Sequence, residues 1–279
     1  SSAGGVSYSY DLNGNLVTSG SKTIAWTSFN MPASVQLGGN AYSWLYDPDR
    51  RRVKYSMPLE TTIYVAADTS LLFEKVTSGG VTQQRHYVYA NGKAIAQYTE
   101  RSVGAPDTRY FYRDHLGSTT LVLDESGNVA ERLSYDAQAK RRFPSGADDS
   151  SETLSGTTTD RGFTWHEHLD EIGFIHMNGR IYDPRIGRFA SADPTVPYRN
   201  DPQSWNRFSY TRNNPLRYSD PTGYEDGEID VNPLSASGIA GAYDYLGEDY
   251  AARTTYSECG RPNCPFTVNG HRDEMRMDP

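Results

Sequence analysis

The chain has 279 residues and a formal charge of −8, yet residues 225–279 hold 11 Asp or Glu against 4 Arg while residues 1–224 hold 24 acids against 23 bases. A near-neutral body with an acidic end argues against a nucleic-acid-binding surface, and the lack of any apolar window of ~18 residues argues against a helical membrane span. Aromatic residues make up 12%, tyrosines number 21, and 25 Gly and 15 Pro punctuate the chain; with a mean hydropathy of −0.70 this is the composition of short, half-buried, tyrosine-faced strands joined by turns, an all-β protein.

The opening "SSAGG" carries no charged-then-apolar leader and reads as the middle of something longer. From there a motif recurs. "YSYDLNGNLVTSG" at 8–20 gives aromatic, Asp, an Asn-Gly turn and a polar–apolar run. "WLYDPDRRRVKYS" at 44–56 restates it with Asp-Pro as the turn, and "HYVYANGKAIAQYT" at 86–99 with Asn-Gly. "YFYRDHLGSTTLVLDESGNVAERLSYDAQAK" at 110–140 restates it twice more. Each unit reads as a β-hairpin, because Asn-Gly favours the positive φ that two-residue hairpin loops demand. A lone hairpin cannot bury its apolar face, so residues 1–142 are expected to stack into one large curved sheet. The basic runs "DRRRVKY" and "AKRRF" read as solvated loop charges.

Residues 143–161, "FPSGADDSSETLSGTTTDR", have Leu154 as their one aliphatic residue apart from an alanine and read as a long surface loop. Regular structure resumes at 162 with "GFTWHEHLDEIGFIHMNGRIYDPRIGRFASADP". The tail, 225–279, offers one short helix, and its Cys259 and Cys264 lack a second Cys or His pair; a small disulfide loop or two free thiols both fit.

Few constellations point to chemistry on their own. His166 and His168 share a strand face, and His176 is a third imidazole nearby, but the HExxH spacing is absent and no metal or cofactor is expected. "RDHLGS" at 113–118 reads as a structural turn. No P-loop, GxGxxG or nucleophile-elbow motif occurs.

The tyrosine–Asp hairpins, the run at 162–194 and the following "WNRFSYTRNNPLRYSDPTGY" resemble the YD repeats and the Rhs-repeat-associated core of bacterial Rhs toxins, of the C component of ABC-type toxin complexes and, more distantly, of teneurins. The likeness spans residues 6–224. It implies strands winding into a hollow shell with 162–224 as a core module capping one end, and 225–279 as a variable segment. It also implies that the core is an aspartyl-type self-protease, with Asp193 and Asp220 at the positions of the catalytic aspartates, Arg180 and Arg188 in support, and the scissile bond after Tyr224, where self-cleaving members carry leucine. Two carboxylates sharing a site suit such chemistry because one is held protonated beside the other. Against this, Asp-Pro is also an ordinary turn starter, repeated at Asp47, Asp183 and Asp201. Three functions therefore stand open: a secreted or cell-surface bacterial shell that encloses or presents its C-terminal segment, a self-protease releasing an effector, and an adhesion or filament module. The partners implied are the rest of the shell, a secretion-system or immunity protein, or a surface glycan or protein.

Overall fold

The computed structural model describes residues 2–228 apart from Gly4, Asp68, Thr69 and Pro197; the tail helix and the two cysteines lie outside the described residues. Residues 1–65 and 71–229 form one compact unit, to which the following description applies. Strands β1 (Ser2–Ala3), β2 (Val6–Tyr10), β3 (Leu16–Ser19), β4 (Lys22–Trp26), β5 (Pro32–Leu37), β6 (Asn40–Tyr46) and β7 (Arg52–Ser56) run on into β8 (Glu60–Ala67), β9 (Ser70–Ser78), β10 (Val81–Ala90), β11 (Lys93–Arg101), β12 (Asp107–Arg113), β13 (Thr119–Leu123) and β14 (Val129–Arg132). They pair antiparallel in chain order, and β14 does not return to β1, so the sheet is open.

Two kinds of turn build this meander. Two-residue loops, Gly20-Ser21, Gly38-Gly39, Gly79-Gly80 and Asn91-Gly92, join some strands as expected. The Asp-bearing units differ from the expectation: their loops have five residues. At Asp11–Asn15, the Asp11 amide donates to the Asn15 carbonyl at 2.9 Å and the Gly14 amide to the Asp11 carbonyl at 3.1 Å. The Asp11 side chain then folds back, its Oδ1 accepting the amides of Asn13 at 2.9 Å and Asn15 at 2.8 Å. The same pair of bonds recurs at Asp114, Asp124 and Asp136, and the second of them at Asp47. The fourth turn residue needs a left-handed backbone, hence Gly14 at φ 84°, Gly117 at 84° and Gly127 at 81°. Pairing shifts by one residue just before several of these turns, at Ser9/Tyr10, Leu45/Tyr46 and Tyr112/Arg113.

A second, smaller sheet, β15 (Glu167–Leu169), β16 (Phe174–Met177), β17 (Arg180–Asp183) and β18 (Arg188–Phe189), forms the centre of the core module. One face of the large sheet packs on it. Tyr8, Ile24, Val35, Trp44, Tyr55 and Tyr64 meet Leu169, Ile172, Phe174 and Ile181, while Tyr87, Phe111 and Val122 meet Trp165. Strands from β2 to β13 all deliver side chains to this one small module, so the sheet curls around it. Burying these apolar faces on each other is what neither layer could do alone.

The joint is also charged. Arg161 lies 2.5 Å from Glu74 of β9 and 3.0 Å from Glu167 of β15, Arg52 of β7 pairs with Glu167, and the Tyr64 and Tyr87 hydroxyls donate to Glu167 at 2.6 Å and Glu74 at 3.0 Å. This network alters the reading of residues 143–161. The segment has no helix or named strand, yet Asp149, Thr159 and Arg161 are buried, and Thr157 and Thr158 donate their amides to Glu131 at 2.7 and 2.9 Å. Its threonines at 157–159 bond into the seam, while its serines face water.

Two outcomes follow from the turns and the joint. Asp11→Ala is expected to cost about 1 kcal/mol, with Asp11→Asn retaining most of it, read as a shift in the denaturant midpoint at constant slope. Arg161→Met, which leaves Glu74 and Glu167 short of a buried partner, is expected to cost about 3 kcal/mol on the same measurement.

Candidate active site

Five Asp-Pro pairs fall in the described residues, and what separates them is the fate of one oxygen. In each, Oδ1 braces its own turn: it accepts the amide of Arg51 at Asp47, Arg185 at Asp183, Thr195 at Asp193, Gln203 at Asp201 and Tyr224 at Asp220. The Oδ2 of Asp183 is taken by Arg185 at 2.8 Å and that of Asp201 by Arg212 at 3.3 Å. The Oδ2 atoms of Asp193 and Asp220 instead converge on one nitrogen, Arg180 Nη2, at 3.0 and 3.3 Å. Two residues 27 apart in sequence therefore face each other across a single guanidinium. A threonine two residues on supports each, its hydroxyl donating to Oδ1 at 2.8 Å for Asp193 and 3.3 Å for Asp220.

Arg180 is fixed on every side. It begins β17, is buried, stacks with its guanidinium carbon 3.6 Å from the centre of the Phe189 ring, and donates through Nε to the Gly223 carbonyl and through Nη1 to the Arg207 carbonyl at 3.2 Å. Burial lowers its pKa, opposed by Asp220 and Asp193, and a guanidinium lowered from so high a value remains a cation. Asp220, 2% exposed, is pushed up to about 7 chiefly by burial, with Asp193 adding to the rise while Arg180 and the Gly223 amide hold it down. The direction is the one expected for a carboxylate pair, but desolvation outweighs the like charge.

The bond between Tyr224 and Glu225 passes directly over Asp220. The Glu225 amide nitrogen lies 3.1 Å from Asp220 Oδ1, and the Tyr224 amide 3.0 Å from the same atom. A cavity of about 30 Å³, room for a water molecule, is lined by Arg180, Asp193, Asp220, Tyr224, Arg207 and Thr211, among others. Tyr224, in the place of the expected leucine, has its own seat. Its ring lies against Gly179, where a Cβ would come within 2.2 Å of it, and its hydroxyl is 3.5 Å from the sulfur of Met31. Past the bond, Asp226 pairs with Arg212 at 2.7 Å, and β20 (Gly227–Glu228) pairs with β19 (Tyr218–Ser219).

Arg188, expected in support, lies elsewhere: its Nη1 donates to Asn213 Oδ1 at 2.6 Å and to the Gly187 carbonyl at 3.1 Å, because it leaves β18 toward the 206–213 loop. Arg207 was not legible. Its Nε donates to the Asp193 carbonyl and its own carbonyl accepts from the Asp193 amide at 2.8 Å, contacts no spacing announces. The three histidines part company: His166 Nε2 meets the Asp220 carbonyl at 2.9 Å, His168 Nε2 accepts the Phe163 amide at 3.0 Å, and His176 lies 3.4 Å from the Tyr46 hydroxyl. In "RDHLGS", Asp114 braces a turn and His115 reaches the Leu216 carbonyl at 3.3 Å.

Two glycines make the close approaches possible. Gly223 has φ +78°, and a Cβ there would lie 2.0 Å from the Met177 carbonyl oxygen. Gly223→Ala is expected to destabilise the core module by about 3 kcal/mol or more in thermal unfolding. Gly127→Ala, at a similar φ but with nothing within 4 Å, is expected to cost only about 1 kcal/mol.

No protein-family model matches the chain. It is 28% identical over 223 residues to the tRNA nuclease WapA of Bacillus subtilis, a match covering 78% of this chain and 9% of that protein. It is 29% identical over 185 residues to the toxin subunit YenC1 of Yersinia entomophaga, covering 63% and 17%, and 28% identical over 145 residues to the toxin protein Tse5 of Pseudomonas aeruginosa, covering 50% and 10%. Among solved structures it is similar in fold to a chain of the TcdB2–TccC3–Cdc42 crystal structure, with a TM-score of 0.61, 21% identity, and coverage of 77% of this chain and 11% of that one. The Photorhabdus luminescens Tc holotoxin pore gives a TM-score of 0.61 at 21% identity, covering 79% and 11%. The chain thus spans between about a tenth and a sixth of the length of these relatives. Its Asp-braced hairpins, its open curled sheet and these relatives together make it an Rhs-repeat, toxin-related protein.

Proposed function

We propose that the chain is part of a secreted Rhs-type shell whose core module cuts its own backbone between Tyr224 and Glu225, separating the acidic segment from the shell. The observation that carries this reading is the Glu225 amide nitrogen held 3.1 Å from Asp220 Oδ1, with Asp193 across Arg180 from it. In the reaction a water in the cavity attacks the Tyr224 carbonyl carbon as Asp193 accepts its proton. As the carbon becomes tetrahedral the Glu225 nitrogen pyramidalises and turns its lone pair to Asp220, which gives it a proton as the C–N bond breaks. The raised pKa of Asp220 keeps that proton available below about pH 7. Arg180 holds both carboxylates in place throughout, and burial strengthens its field. Cutting alone does not free the segment, because Arg212–Asp226 and the β19–β20 pair still hold its first residues.

A scaffold reading has support in the same guanidinium, which cross-links β17 and the turns at Asp193 and Asp220 whether or not the bond is cut. Intact-mass measurement on the full chain, beside Asp193→Asn and Asp220→Asn, separates the two. Self-cleavage yields a 55-residue fragment beginning at Glu225, slowed at least about 100-fold in either variant. Asp220 is protonated below its folded pKa and ionised above it, so the wild-type rate is expected to fall as pH rises through about 7. A wild-type chain that stays whole from pH 5 to 8 leaves the site a scaffold.

A further inference from the structure

We propose that His166 is a positioning residue for this cleavage: it opens the turn at Asp220 so that consecutive amides, including that of the scissile bond, point at the Asp220 carboxylate. The inference rests on the self-cleavage reading above.

The comparison that reveals it is internal to the chain. In the five-residue Asp turns of residues 1–142, the first carbonyl is taken by the amide three residues on: Gly14 on Asp11 at 3.1 Å, Arg50 on Asp47 at 3.0 Å, Gly117 on Asp114 at 3.1 Å, Gly127 on Asp124 at 3.0 Å and Ala139 on Asp136 at 3.2 Å. Asp220-Pro-Thr-Gly-Tyr224 has the same length, the same positive φ at its fourth residue and the same bond from the fifth amide to Oδ1. Its carbonyl, however, is bonded by His166 Nε2 at 2.9 Å. The Gly223 amide makes no bond to that carbonyl, and the Glu225 amide, one residue beyond the turn, lies 3.1 Å from Asp220 Oδ1. A carbonyl oxygen only accepts, so the contact fixes the tautomer: the proton of neutral His166 sits on Nε2. Burial, with Arg161, His168 and Arg52 nearby, lowers the imidazole to about 4, so it donates as a neutral group at neutral pH.

His166 is itself set by the large sheet. It immediately precedes Glu167, which accepts the Tyr64 hydroxyl at 2.6 Å and pairs with Arg52, both from that sheet. The hydrogen bond that opens the turn is thus formed in register only when β7 and β8 have docked on the core module. This makes the cut a late event, following closure of the sheet over its cap.

The test is a pulse of labelled full-length chain made by cell-free synthesis, followed by intact mass against time. His166→Ala is expected to slow cleavage by about 10- to 100-fold, and His166→Gln, whose amide nitrogen can donate to the same carbonyl, to restore most of the rate. Both substitutions are also made in an Asp220→Asn chain, where unfolding midpoints report any common loss of stability that Gln would not rescue. Tyr64→Phe is expected to slow the wild type and to add nothing to His166→Ala. If the wild type is cut and His166→Ala is cut at the same rate, or if Gln is as slow as Ala, or if Tyr64→Phe is fully additive, the positioning role falls while self-cleavage stands. A wild type that is never cut overturns both.

Discussion

An aspartate side chain folded back on its own backbone is the interaction from which this structure is assembled. A five-residue turn leaves amides at its second half with no strand partner, and an ionised carboxylate satisfies two of them at once with charge-assisted bonds. The device needs only an Asp, a residue tolerant of positive φ three positions later, and a free amide after it. It is therefore cheap to repeat, and it recurs from Asp11 to Asp136. Because several of these turns follow a register shift, the strands bend as they turn back, which suits a sheet that must curl around a core.

At the surface this arrangement is self-contained, since the second carboxylate oxygen faces water or takes an asparagine of its own turn, Asn15 at Asp11 and Asn128 at Asp124. Buried, that oxygen needs a partner, and the chain supplies one differently in each case. Asp183 receives Arg185, and the partly exposed Asp201 shares Arg212 with Asp226. Asp193 and Asp220 share one, so two carboxylates compete for a single cation. Desolvation then holds Asp220 close to neutrality in the titration range. Burial more than shortage of charge is what raises this turn carboxylate, with no new motif required.

The sequence exposed the repetition and left its geometry concealed. Tyr, Asp and Gly at fixed offsets announce turns, and the 21 tyrosines announce half-buried strand faces. Reading Asn13-Gly14 as a two-residue loop failed because the Asp11 carboxylate outcompetes that geometry by capturing the amides of Asn13 and Asn15. Asp193 and Asp220 were singled out by resemblance, since their spacing is that of any two turn starters. What distinguishes them from Asp183 is the direction of Arg180, a property of strand packing. Arg188 misled for the converse reason: it lies eight residues from Arg180 in the same arginine-rich run but leaves a neighbouring strand toward Asn213. The joint of Arg52, Glu74, Arg161 and Glu167 draws on three stretches far apart in the chain, so no local pattern could disclose it.

The departure at Tyr224 shows how closely this site is fitted to the chain that enters it. A ring in place of an isobutyl group needs more room, and Gly179 provides it by having no Cβ. The phenol hydroxyl needs a neighbour that does not leave it in an apolar void, and the soft sulfur of Met31 serves as a weak acceptor. Met31 closes the turn between β4 and β5, with its amide on the Thr27 hydroxyl at 3.0 Å. The residue before the bond is thus held from the large sheet, while beneath the bond Arg180 holds the Asp220 carboxylate and His166 the Asp220 carbonyl, both from the core module. Neither layer alone defines the position of that peptide. The site exists only where the two meet.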